Sequence, residues 1–181
     1  NECGLIPIPI SLKVPFQTYF ETFHPSGILL TGGNDLAVCN PTDPLNATRD
    51  KQESLMILGS IERKLPLLGV CRGMQMVCHY FGSQLEARKG HVNQLHPVEI
   101  RKKGVWESFY GSTPQVNSYH QFCVTHLEDG LRETARMSRD QTIEAVEHEE
   151  FKIAGMMWHP ERVKPFSRAD INFFIRFFSP P

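Results

Sequence analysis

The apolar residues of this chain fall in short runs broken by turn formers, and the runs change character partway along. Gly27-Ile28-Leu29-Leu30 and Leu65-Pro66-Leu67-Leu68 are compact apolar runs stopped by glycine-containing turns, as in strands buried on both faces. Between them, Arg49 to Arg63 carries Leu55, Ile57, Leu58 and Ile61 at helical spacing, behind a polar loop from Val38 to Thr48. A second helix-like run, Met76-Val77-Cys78-His79-Tyr80-Phe81, follows the second strand and stops near Gly82. Leu5 to Ile10, with its two prolines, reads as a short strand or extended segment. This alternation predicts an α/β fold: a three-layer, doubly wound, mostly parallel sheet with helices on both faces. From His91 the texture shifts. Val98-Glu99-Ile100, Ser118 to Val124, Thr142 to Glu147 and Ile153 to Trp158 read as β segments joined by Gly, Asp and Pro turns, which adds a mixed or antiparallel part. Arg168 to Phe178 reads as an amphipathic helix with Ile171, Phe174, Ile175 and Phe178 along its stripe. One domain over residues 1–181 is expected. Its opening looks like a second strand, so a first strand is expected to be missing ahead of Asn1.

Charge and composition narrow the function classes. A formal net charge of -1 gives no nucleic-acid footprint, and the longest basic run is only Arg101-Lys102-Lys103. No apolar stretch reaches membrane-spanning length and no signal peptide is visible. The 5 cysteines are odd in number and lack a Cys-x-x-Cys pair, so a disulfide framework is not expected and a reducing, cytoplasmic setting is. Although 8 histidines are available, cysteines and histidines do not pair at ligand spacing. Neither a metal nor another cofactor is expected.

The chemistry concentrates at Gly69-Val70-Cys71-Arg72-Gly73-Met74-Gln75. An apolar strand runs into a helix there, with cysteine on the bend and glycine two residues to either side. That is the cysteine form of a nucleophile elbow, in which the turn lifts the sulfur to the carboxyl edge of the sheet. Helix amides pointing at the sulfur are expected to lower its pKa. Met157-Trp158-His159-Pro160-Glu161 follows the last apolar β run, which puts His159 on the same edge. Imidazole can take the thiol proton and return it to a leaving nitrogen, and a carboxylate fixes its tautomer. Cys71, His159 and Glu161 therefore make a coherent triad. An oxyanion needs preorganised donors: the amide of Arg72 is one candidate, and the Thr31-Gly32-Gly33-Asn34 loop, at another strand end, fits for the second.

Taken together and in order, Thr31-Gly32-Gly33, Gly69 to Gln75, Asn117-Ser118-Tyr119-His120 and Trp158 to Glu161 resemble the class I glutamine amidotransferase superfamily. The pattern is most similar to its stand-alone γ-glutamyl hydrolase branch, peptidase family C26. The resemblance implies a flavodoxin-like sheet and a triad matching Cys71, His159 and Glu161. It implies oxyanion amides at Gly33 and Arg72. It also implies a glutamyl group gripped by Gln75 and by Asn117, Ser118, Tyr119 and His120, with Arg49 facing substrate. Arg72, Met74 and Gln75 resemble bacterial γ-glutamyl-γ-aminobutyrate hydrolases, while the Gly-Gly-Asn-Asp-Leu loop resembles γ-glutamyl-CDP-amidate hydrolases. One departure is that Gln121 follows His120 where the branch usually has a second histidine. The implied reaction is hydrolysis of a γ-glutamyl amide through a thioester, with glutamate released. The alternative is a glutaminase subunit that delivers ammonia to a synthase. The expected partner is a small-molecule substrate, without nucleic acid or membrane; a homodimer is left open.

Overall fold

The computed structural model describes residues 2–101, 104–128 and 130–179. Lys102 and Lys103 of the basic run, Asn1 and the last two prolines lie outside the described residues. In chain order the first half holds α1 (Phe16–Phe23), β1 (Ile28–Leu30), α2 (Pro44–Arg63), β2 (Leu67–Val70) and α3 (Arg72–Tyr80). The second half holds β3 (Gln84–Ala87), β4 (Val92–Ile100), α4 (Glu107–Tyr110), β5 (Gln115–Tyr119), β6 (Phe122–His126), β7 (Leu131–Met137), β8 (Ile143–His148), β9 (Ile153–Met156) and α5 (Arg168–Phe178).

One sheet runs β1-β2-β9-β8-β7-β4-β5, with β6 pairing both β8 and β3. β1, β2 and β9 are parallel neighbours, with Gly69 opposite Gly155 and Val70 opposite Met156. Every other pairing is antiparallel, so the parallel part is narrower than the alternation of strand and helix suggests. The reason is local: after α3 the connections are turns, and a turn too short for a crossover can join only antiparallel strands.

Two apolar clusters cover the two faces, and strand alternation sorts residues between them. Leu67 and Ile153 pack with Phe16, Met56, Ile57 and Met74 on the side of α1, α2 and α3. Leu68 and Ala154 pack with Trp106, Phe173 and Phe177 on the side of α4 and α5. Strands β2 and β9 are buried along their whole length, which is why their sequences are continuously apolar.

Leu5 to Ile10 forms no strand, which leaves the extended-segment alternative. Two expectations are corrected. The loop from Val38 is shorter than expected, because Asp43 caps α2 through the Leu45 amide and Pro44 occupies its first turn. On α5 the buried residues are Asp170, Phe173 and Phe177, whereas Ile175 of the expected stripe is exposed. The phase is set by Trp106, which stacks on Phe173 at 4.4 Å.

Candidate active site

The elbow is built by close packing more than by glycine flexibility. Cys71 itself carries the left-handed backbone, with φ 51 and ψ -106. The flanking glycines are outside that region; they clear space. A Cβ on Gly69 would stand 2.5 Å from the Gly73 carbonyl group, and one on Gly73 would overlap the Leu30 carbonyl. The strained residue is held by its own amide, which donates to Met156 O at 2.7 Å, and by its carbonyl, which accepts from Gln75 N at 3.0 Å.

His159 leaves the sheet one strand over, beyond the carboxyl end of β9. Its Nδ1 lies 2.5 Å from Glu161 Oε1, while its Nε2 is buried without a hydrogen-bond partner among the described residues. Cys71 and His159 meet around Gly32: a Cβ placed there would be 2.9 Å from His159 Cε1 and 3.8 Å from Cys71 Cβ. Gly32 therefore has to be glycine for the two side chains to approach. Gly33 beside it has φ +149, a conformation that favours glycine.

The expected depression of the cysteine pKa does not hold. Burial pushes the Cys71 thiol up to about 11, against the Arg72 amide that hydrogen-bonds the sulfur; Glu161 adds to the rise and Arg162 opposes it. Desolvation outweighs one amide at a site this enclosed. At neutral pH the sulfur rests as a thiol, so attack requires a base to take its proton. Against the opposing effect of burial, the His159 ring, a backbone amide and Arg162 hold the Glu161 carboxyl below the usual range.

The loop and the elbow are wired together underneath. Arg49 Nη2 donates to Thr31 O at 2.8 Å and to Gly32 O at 3.2 Å, and its Nε donates to Glu53 at 2.7 Å. Glu53 in turn accepts from the buried Arg72 side chain, which also pairs with Asp50. Asp50 accepts from Ala37 N at 2.7 Å, closing the circuit back to the loop. Arg49 is thus turned onto the loop carbonyls, and the expectation that it faces substrate is corrected.

Strand β5 divides the other expected residues by parity. Val116, Ser118 and His120 are buried, whereas Tyr119 is exposed. Asn117 holds the histidine: its Nδ2 donates to His159 O at 2.8 Å and its Oδ1 accepts from His159 N at 2.7 Å. Ser118 Oγ donates to His91 O at 2.6 Å. His120 is buried and contacts Phe122 O through Nδ1 at 3.1 Å; burial pulls its pKa down to about 4. Gln75 Nε2 donates to the same Phe122 carbonyl at 2.8 Å. Asn117, Ser118 and His120 therefore have their polar atoms turned to protein, contrary to the expected grip on a ligand. Tyr119 is partly exposed, and its ring lies edge-on to His159 at 5.8 Å.

Sequence reasoning missed Arg162, whose guanidinium lies 4.1 Å over the Tyr119 ring and whose charge acts on Cys71. Its position directly after Glu161 was the available signal. It also missed a second polar cluster behind the site, where His91, His96, His120, Cys123 and Glu144 gather from distant parts of the chain. The expectation that histidines and cysteines do not pair at ligand spacing fails: His91 stands five residues before His96 and His120 three before Cys123, and these residues gather in space.

Known proteins share both overall sequence similarity and the fold. The Peptidase C26 family matches residues 2–161. The chain is 37% identical over 156 residues to the γ-glutamyl-CDP-amidate hydrolase of Campylobacter jejuni, an alignment spanning 86% of this chain and 71% of that protein. It is 29% identical over 166 residues to anthranilate synthase component 2 of Saccharolobus solfataricus, spanning 90% of this chain and 81% of that one. A solved Thermoplasma acidophilum protein, described as a candidate GMP synthase subunit, superposes with a TM-score of 0.71 at 20% identity. That superposition covers 87% of this chain and 73% of the other. At that identity it shows the shared fold.

Proposed function

The chain belongs to the Peptidase C26 family of cysteine-type hydrolases, and from that premise we propose that it hydrolyses a γ-glutamyl amide through Cys71, His159 and Glu161. The observation that carries this reading is that a buried thiol on a positive-φ residue and an imidazole with one nitrogen on a carboxylate, its other nitrogen without a partner among the described residues, both approach Gly32. Cys71 attacks the γ-carbonyl as His159 Nε2 takes the thiol proton. The amides of Gly33 and Arg72 hold the oxyanion. His159 then protonates the departing nitrogen, and the amine leaves a γ-glutamyl thioester on Cys71. Water, deprotonated by His159, splits the thioester and releases glutamate. Glu161 orients the ring and steadies the imidazolium. Arg162 and Tyr119 stand at the mouth, where the guanidinium suits the glutamyl carboxylate.

For the leaving group, the 37% relative favours a γ-glutamyl phosphoramidate of the CDP-amidate type over γ-glutamyl-γ-aminobutyrate. Likeness to anthranilate synthase component 2 supports a second reading, a glutaminase subunit feeding ammonia to a synthase.

The test is glutamate release from γ-glutamyl-CDP-amidate, γ-glutamyl-γ-aminobutyrate, glutamine and folate polyglutamate. The Cys71→Ala chain serves as control. Strong turnover of one γ-glutamyl compound, with a mass increment of a glutamyl group on Cys71 after rapid quenching, is expected. Turnover surviving in Cys71→Ala would remove the nucleophile assignment. Activity confined to a trace on glutamine would move the reading to the glutaminase that serves a synthase.

A further inference from the structure

A carboxylate behind the active site is buried among histidine rings that stand farther off than a normal hydrogen bond. Glu144, on β8, is fully buried, and neither of its oxygens has a hydrogen-bond partner among the described residues. Three histidine rings surround it. His91 Nδ1 lies 3.5 Å from Oε1, His96 Nε2 lies 3.5 Å from Oε2, and His120 Nε2 lies 3.8 Å from Oε1. All three nitrogens are buried without a partner. These spacings exceed a normal N–H···O contact of about 2.7–3.2 Å. They come close to the edge of a tetrahedron whose bonds to a central ion are about 2.0–2.1 Å, roughly 3.4 Å.

The outer atoms of two of the rings are fixed in the way metal-bound imidazoles usually are. His91 turns its other nitrogen onto Asp140 at 2.8 Å, and His120 turns its Nδ1 onto the Phe122 carbonyl at 3.1 Å. Such contacts set the tautomer and leave the inner nitrogen as a lone-pair donor. The main chain reinforces the arrangement, since His91 O accepts from both Ser118 Oγ and His120 N. A buried carboxylate facing unpartnered imidazole lone pairs is unfavourable unless a cation sits between them or one of the rings takes up a proton.

We propose that His91 Nδ1, His96 Nε2 and Glu144 hold a divalent transition-metal ion of the zinc type, with His120 Nε2, 3.8 Å from Glu144 Oε1, the nearest side chain to the fourth position. Ligand atoms of His91, His96 and Glu144 lie within 4.8 Å of one another. A rival set, His91, His120 and Cys123, is equally compact. It is disfavoured because the His120 nitrogen facing Cys123 Sγ at 3.6 Å is already engaged with Phe122. Nitrogen and carboxylate donors in a tetrahedral spacing suit zinc rather than calcium or magnesium. The ion is structural in this arrangement. It ties the entry to β4, the β5–β6 turn and β8 together behind Asn117 and His159, where Glu144 O also accepts from Met157 N at 2.8 Å. The site stands whether or not the γ-glutamyl reading does.

The test uses the full chain expressed with added zinc and purified without chelator. Elemental analysis is expected to find about one zinc per chain. Stripping with dipicolinate should lower the unfolding midpoint and zinc should restore it. Cobalt(II) loaded in place of zinc should give visible d–d bands of a four-coordinate site without a thiolate charge-transfer band. His96→Gln and Glu144→Gln should weaken cobalt binding at least about tenfold, while Cys123→Ser should retain it. A folded, zinc-free wild type that gives no cobalt spectrum would overturn the proposal; a proton on His91 would then balance Glu144. A thiolate band that disappears in Cys123→Ser would overturn the ligand set. If either ligand variant fails to fold, the metal content and cobalt spectrum of the wild type decide alone.

Discussion

Two buried polar clusters flank the catalytic edge, and they are balanced in opposite ways. On the elbow side, Arg49 and Arg72 face Asp50 and Glu53, so two cations meet two carboxylates within protein. On the β8 side, Glu144 faces three histidines that offer it no hydrogen bond. The first cluster is complete in itself and connects the two expected oxyanion donors, Gly33 and Arg72. The contrast teaches that the same types of residue can build a self-sufficient brace or a cluster whose carboxylate stands apart from its neighbours. What separates them is whether cation and anion come within hydrogen-bonding distance.

Removing the cation from the first cluster should have the largest effect. Arg72→Met leaves Asp50 and Glu53 without their buried partner and should lower stability by about 3–5 kcal/mol in urea unfolding. Glu144→Gln in metal-stripped protein should do the opposite of that, changing stability by less than about 1 kcal/mol or raising it, because it deletes an unbalanced charge. Equal losses from both variants would erase the distinction between the clusters.

The brace also predicts kinetics. Arg49→Ala releases the Thr31 and Gly32 carbonyls, so kcat should fall about 100-fold, near 2.7 kcal/mol, with KM little changed. A pure KM effect would instead return Arg49 to the substrate. Asn117→Ala removes both contacts to the His159 backbone and should lower kcat about tenfold, near 1.4 kcal/mol. An increase in KM alone would show that Asn117 binds ligand after all.

The smallest effects concern protonation. Glu161 titrates below the usual carboxylate range, so the ionised form is favoured in the folded chain. Its hold on His159 should persist above the unfolded carboxylate pKa and be lost as pH falls through the lower folded value. The acid limb of kcat/KM should therefore change in Glu161→Gln. For Cys71 the shift is upward, to about 11, so the neutral thiol is favoured. In His159→Ala, iodoacetamide labelling of Cys71 should rise about tenfold per pH unit toward that value. A plateau near pH 7 would mean that the helix amides alone suffice.

Much of the catalytic edge was legible along the chain because its signals are local. The glycines around Cys71, the proline after His159 and the unbroken apolar runs of β2 and β9 each act within a few residues. α1 and β7 were missed: Phe16, Tyr19, Phe20 and Phe23 do stand at helical spacing, but over only eight residues, and β7 carries Arg132, Glu133 and Arg136 among its apolar residues. On β5 the parity was present but unused: only residues 117 and 119 could share the face toward His159.

The sequence alone determined the α/β class, the sharp strand-to-helix turn at Cys71 and the pairing of His159 with Glu161 two residues on. Those depend on backbone sterics and short-range chemistry. Only the tertiary structure decided that burial raises the Cys71 pKa, that Arg49 serves the loop, and that His91, His96 and His120 converge on Glu144. These outcomes depend on which distant side chains exclude water from one another, a property of packing that residue order does not contain.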